Sequence, residues 1–281
     1  MIPQNFIDWA CSLSGCYGGN IDADTWICGS EWGTGSYGKD TYYETGLAED
    51  INRGEVLLEQ KEFNWKYCLY DNYGRNFAKL FAAMNGEDVE GYRDLVLEKW
   101  DGSEIFAVNL YPISFDSIDP GLWDDYNLTE KTGFSEKHLF QTWCYFNRFP
   151  VLAALRLKNK PKLIICTGIN YMRDFFMCFD GTKDSFNKIR LGEISQRIEG
   201  NGHKTRRYYW VKIDKHTTLV VIPFLSGPHG LNSDYLLEQM GKRLTELKYD
   251  SDNIDEEKNS YRKMKSTIKI NDFATWSKFH V

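Results

Sequence analysis

Four short apolar runs restrict this chain more than any other feature: TWIC at 25–28, IFAVNL at 105–110, KLIIC at 162–166 and TTLVVI at 217–222. Each is of strand length, each stops on a turn-forming residue, and helix-length segments separate them. Runs that are apolar on both faces belong to strands covered from both sides. Together they predict an α/β fold with a central, mostly parallel sheet flanked by helices. The helices expected are residues 4–14, with Phe6, Ile7, Ala10 and Leu13 near one face, and 72–85, with Phe77, Leu80, Phe81 and Met84 inward. A third spans 137–157 with a break expected at Pro150, a fourth spans 170–179, and a fifth runs from a Ser233 cap to about Leu247. Arg207–Ile213 and Thr217–Ile222 read as a hairpin turning through Asp214-Lys215-His216.

At 281 residues the chain is long enough for one large α/β domain. We expect that domain over 1–249, with insertions at about 36–70 and 116–135, followed by a polar linker and a C-terminal appendage over 250–281. Residues 30–46, rich in Gly and Tyr and without period, read as a ligand-covering loop or a long connection. The net charge of -6 argues against polyanion binding over the whole surface, though a local basic groove remains open. Seven cysteines, odd in number and without a CxxC pair, read as reduced thiols. The first residues, MIPQNFIDWACSL, lack the basic start of a secretory signal, and no apolar run is long enough to span a membrane. The expectation is a cytoplasmic monomer, away from membranes, with no metal and no cofactor.

In parallel sheets of this kind ligands bind beyond the carboxyl ends of the strands. Four loops therefore matter: 29–46, 109–116, 167–171 and 223–233. They offer Gly29, Ser30 and Glu31; Asn109 before Tyr111; Thr167-Gly168; and Ser226, Gly227, His229 and Asn232. A carboxylate, an amide and an imidazole converging there can activate water, read a planar ligand and support a leaving group. Each has a plainer reading as well: Glu31 as a solvated turn acid, Asn109 as a turn residue, His229 as a surface histidine.

The order of these segments resembles the uracil-DNA glycosylase superfamily. Gly29-Ser30-Glu31-Trp32-Gly33 is similar to the motif ending that family's first strand, and FAVNLYPIS places Asn109 at its base-reading asparagine. Pro161 to Gly168 is similar to its Pro-Lys-apolar strand, and Val221 to Gly227 stands where its His-Pro-Ser-Gly loop begins. In that register Phe224 and Leu225 replace the histidine and proline, while Ser226 and Gly227 match. The resemblance covers about residues 5–247 and implies a three-layer sandwich that excises uracil or another modified base from DNA. It implies catalytic roles for Glu31, His229 and Ser226. Base binding would fall to Asn109, Tyr42, Tyr43, Gly29, Ser30 and Phe224, with Tyr37 in the same loop. DNA is the expected partner. The interleaved His203-Lys204-Thr205-Arg206-Arg207-Tyr208-Tyr209 offers Lys204, Arg206 and Arg207 to phosphates, with Gly227 beside the strand and Lys263 and Lys265 a lesser patch. Two alternatives stand beside this one: a non-catalytic nucleic-acid-binding protein on the same fold, and an N-glycosidic hydrolase of free nucleosides or nucleotides.

Overall fold

The computed structural model describes residues 1–31, 39–57, 63–115, 121–180, 187–198 and 202–249. Trp32, Gly33, Gly35, Tyr37 and the whole of 250–281, with Lys263 and Lys265, lie outside the described residues.

The described chain is α/β, built on one seven-stranded mixed sheet. Its strands are β1 (Gly18–Gly19), β2 (Thr25–Gly29), β3 (Ile105–Asn109), β4 (Leu163–Thr167), β5 (Arg190–Ile198), β6 (Gly202–Lys212) and β7 (Thr218–Ile222). They lie in the order β1-β3-β2-β4-β7-β6-β5. The middle four are parallel, and the outer pairs are antiparallel. These parallel strands are the four apolar runs, and both of their faces are covered. Trp26, Cys28, Phe106, Val108, Ile164, Cys166, Leu219 and Val221 point into one core. Ile27, Ile105, Ala107, Leu163, Ile165, Val220 and Ile222 point into the other. Alternation with period two thus sends one hydrophobic set to each layer of helices.

The first layer holds α1 (Gln4–Ala10), α2 (Leu47–Arg53), α4 (Lys137–Asn159) and α5 (Met172–Phe179). The second holds α3 (Asn72–Met84) and α6 (Asp234–Tyr249). The Asp71 carboxylate starts α3 by accepting from Gly74 N at 2.6 Å. The Ser233 hydroxyl accepts from Leu236 N at 3.3 Å at the start of α6, as its place in the sequence suggests. The hairpin through Asp214 forms, and Lys212 pairs with Thr218 across it.

Two expectations change. Pro150 sits inside α4 without ending it. Its missing N–H would have served the carbonyl of Phe146, an exposed residue whose carbonyl can turn to water. Residues 39–46 of the aperiodic 30–46 stretch are helical: a turn at Lys39–Thr41 and a π turn at Tyr42–Gly46 lead straight into α2. Residues 121–135, part of the expected insertion, pack into the core through Leu122, Trp123 and Leu128.

Candidate active site

β2 is the first parallel strand in the chain, β3 the second and β4 the third, and β2 lies between the other two. The chain therefore switches direction across the sheet at the carboxyl end of β2, where a crevice opens in folds of this type. Glu31 stands two residues beyond that end. Leu110 N donates to Gly29 O at 3.0 Å and Tyr111 N to Ser30 O at 2.9 Å, so β3 continues to hold the segment after β2 has ended.

Glu31 is not a solvated turn acid. Its side chain is only 8% exposed, and its partner comes from 106 residues away: Lys137, the first residue of α4, donates Nζ to Oε1 at 3.4 Å. Lys137 is itself 12% exposed, and its ammonium lies 3.7 Å from the centre of the Phe115 ring. A cation over an aromatic face is held by the ring quadrupole. The Tyr171 hydroxyl approaches Ser30 and Glu31 from the turn before α5. Glu31 Oε2 is buried with no hydrogen-bond partner among the described residues. Burial raises the Glu31 carboxyl to about 7, with Lys137 and then Tyr171 pulling it back toward the charged form. Burial lowers Lys137, and Glu31 opposes that. A carboxylate poised near neutrality, with one oxygen unengaged, is the arrangement a general base requires.

The residues expected to hold a base are placed differently. The Asn109 amide is buried, and its Nδ2 donates to Gly15 O at 2.9 Å. Its Oδ1 packs so closely on Gly29 that a Cβ there would come within 2.3 Å, which is why a glycine ends β2. By strand alternation its side chain lies on the face of Ile105 and Ala107, whereas Lys137, Phe115 and Tyr171 come from the opposite layer. Tyr42 and Tyr43 are buried in the core rather than presented to a ligand. Tyr43 stacks on Tyr126 at 4.4 Å and donates its hydroxyl to Ser114 O at 2.7 Å, and Ser114 N donates to the Tyr42 hydroxyl at 3.3 Å. They hold the Ser114-Phe115 segment that carries the cation–π ring. Phe224 is presented: it is 47% exposed and leans on Tyr73 at 5.0 Å, whose hydroxyl shares a 2.9 Å hydrogen bond with Thr167 at the end of β4.

The loop after β7 is pinned. Leu231 N donates to Phe224 O at 2.8 Å, and Asn76 of α3 donates to Leu225 O and Leu231 O. Arg206 donates to Gly230 O and Pro228 O, both at 2.8 Å. Asn232 donates to Gly227 O at 2.9 Å, and Lys204 in turn donates to Asn232 Oδ1. A side chain at Gly230 would strike Ser226 O and Phe224 O at just over 2 Å, so the turn closes only with glycine. Ser226 is half-buried; Gly227 and His229 are exposed.

Alternation along β6 divides the basic run. Lys204 and Arg206 face the pinned loop, and Arg207 lies on the opposite face, paired with Glu193 at 2.8 Å. These three side chains do not form one phosphate-binding stripe. Lys137, Phe115, Tyr171 and Asn76 escaped the sequence because each reaches its place through tertiary packing. Lys137 opens a long helix and Tyr171 directly precedes α5, but nothing local at either boundary marks the contact it makes.

All seven cysteines are free thiols. No helix of the described residues is long and apolar enough to cross a membrane. No protein-family model matches this chain, and no curated protein matches its sequence.

Proposed function

We propose that the protein hydrolyses the N-glycosidic bond of a modified base in DNA, with Glu31 activating the water. The observation that carries this reading is the Glu31 carboxyl itself: buried at the switch point of the sheet, raised to about 7, with Oε2 unengaged among the described residues. Water bound at Oε2 gives a proton to the carboxylate as its oxygen bonds to C1′ of the sugar. The C1′–N bond breaks, and its electron pair leaves with the base. The Lys137 ammonium, 3.4 Å from Oε1, keeps a fraction of Glu31 ionised at neutral pH. Phe224 is a half-exposed face on which an extruded base can stack, but it donates no hydrogen bond, so the charge on the leaving base is stabilised by hydrogen bonds from backbone amides or water, and water supplies its proton.

A second reading, hydrolysis of free nucleosides, is favoured by the division of Lys204, Arg206 and Arg207 between two faces of β6. Polymer binding rests on several phosphate contacts, and this run does not supply them as a unit. Base release should be measured on single- and double-stranded oligonucleotides carrying uracil and other modified bases, and on the matching nucleosides. Release from oligonucleotides that Glu31→Gln abolishes supports the first reading, and release from nucleosides alone supports the second. DNA binding without release from any substrate would make the protein a non-catalytic binder.

A further inference from the structure

We infer that Lys137 is a second reactive group of this site, an amine that condenses with the aldehyde of a base-free deoxyribose and opens the strand beside it. The inference rests on the glycosidase reading of the same corner. Three observations carry it. Lys137 Nζ is almost buried and has Glu31 as its sole hydrogen-bond partner among the described residues, at 3.4 Å. The underside of the ammonium is closed by the Phe115 ring at 3.7 Å, which leaves few directions from which a partner can approach. And Glu31 carries an unengaged oxygen, so one carboxyl can both take a proton from the amine and serve a substrate. Two other lysines are occupied: Lys131 donates to Tyr43 O and Tyr126 O, and Lys79 pairs with Asp234 at 2.6 Å. An amine drawn out of water next to a proton acceptor is the setting in which lysines form imines.

The steps balance without a cofactor. Lys137 passes one proton to Glu31, giving a neutral amine and a neutral acid. The amine lone pair bonds to the C1′ aldehyde carbon of the open-chain sugar, one water leaves, and Glu31 returns its proton to the imine nitrogen. The Glu31 carboxylate then removes a proton from C2′. The freed electron pair expels the 3′ phosphate as the C3′–O bond breaks. Water hydrolyses the conjugated imine, releasing Lys137 and a strand that ends in an unsaturated aldehyde. No atom is oxidised or reduced overall.

The test uses the full chain and an oligonucleotide with a preformed abasic site, with and without sodium borohydride. The inference expects strand opening without reductant, and a covalent protein–DNA adduct with it whose mass maps to the peptide bearing Lys137. Lys137→Arg, which keeps a cation beside Glu31 and cannot form an imine, should lose both. Absence of an adduct with the unaltered protein overturns the inference, as does a map to another residue. The map decides the matter even where the variant fails to fold. Because the abasic site bypasses base removal, the two readings fail separately. Base release without an adduct removes the imine alone, and an adduct without base release from any substrate removes the glycosidase reading alone.

Discussion

The corner after β2 and the loop after β7 lie at the same carboxyl end of the parallel strands, about 10 Å apart with one strand between them, and they are built on opposite plans. In the loop the residues with chemical character, Ser226 and His229, stand near or at the surface, and the backbone carbonyls beneath them are fastened by Asn76, Arg206 and Asn232. In the corner the chemical groups are buried and one is left under-engaged: Glu31 is paired with Lys137 and approached by Tyr171, and its Oε2 has no hydrogen-bond partner among the described residues. Polar groups inside a protein are ordinarily satisfied, and an exception asks for an explanation. The loop has spent its polar groups on shape, and the corner has kept one in reserve for chemistry.

The sharpest way to break this comparison is to exchange its members. Glu31→Gln should lower single-turnover base release by about 10²-fold or more, the scale of general acid–base effects, while Ser226→Ala and His229→Ala leave it within a few-fold. Rates that fall equally would restore chemistry to the loop. Next in size is the loop's own anchor. Asn76→Ala withdraws the donor shared by Leu225 O and Leu231 O and should cost about 1–3 kcal/mol, read as a lower melting temperature with the pH profile of the rate unmoved.

The pH dependence sharpens the corner itself. Its rate should rise with an acid limb centred near pH 7, where Glu31 ionises. Lys137 holds that carboxyl down, so Lys137→Met should move the limb to higher pH. Stability carries the same signature with a fixed sign. The folded carboxyl is raised to about 7 from its ordinary 4.5. Between those values the folded chain therefore binds more protons than the unfolded one, and stability falls as pH rises. The deficit is absent below about 4.5 and complete above about 7. Glu31→Gln removes it, so the melting temperature of this variant relative to the unaltered protein should climb across that window. A constant difference would mean that Glu31 is solvated. The smallest effect belongs to Arg207→Ala, which breaks only an exposed pair with Glu193 and should change stability by less than about 0.5 kcal/mol. If it also flattens the salt dependence of oligonucleotide binding, polymer contact returns to the outer face of β6.

The parallel strands were legible because burial on both faces writes an uninterrupted apolar run, and α3 and α4 because burial on one side writes a helical period. β5 was not. It lies at the edge of the sheet, and its RLGEISQRI mixes polar and apolar residues on a half-covered face. The helical stretch from Lys39 to Arg53 was hidden by its π turn, which shifts the helical period at Tyr42–Gly46. At the site, Glu31 was legible from its glycine-rich setting at the end of a strand. Lys137 was not, since nothing local says that the first residue of a helix will fold over a carboxylate 106 residues earlier. The basic run was legible in composition but not in placement, since successive residues of a strand point to opposite faces: Lys204 and Arg206 meet the loop after β7, and Arg207 meets Glu193.

Arg148 carries a consequence for how the molecule opens. Its side chain is fully buried, and the guanidinium donates to Ala10 O, Ser12 O, Ser14 O, the Ser14 hydroxyl, Asn109 O and Leu110 O. A single cation on α4 thus ties the end of α1, the residues that follow it and the end of β3 to the helix that presents Lys137. No one of these three segments can leave without stranding a buried charge, so they should exchange their amide hydrogens as one unit, with common protection and a common loss on opening. The hairpin β5–β6 contributes nothing to that knot. Hydrogen exchange should show it fraying first, while the corner that holds Glu31 stays shut until α4 itself departs.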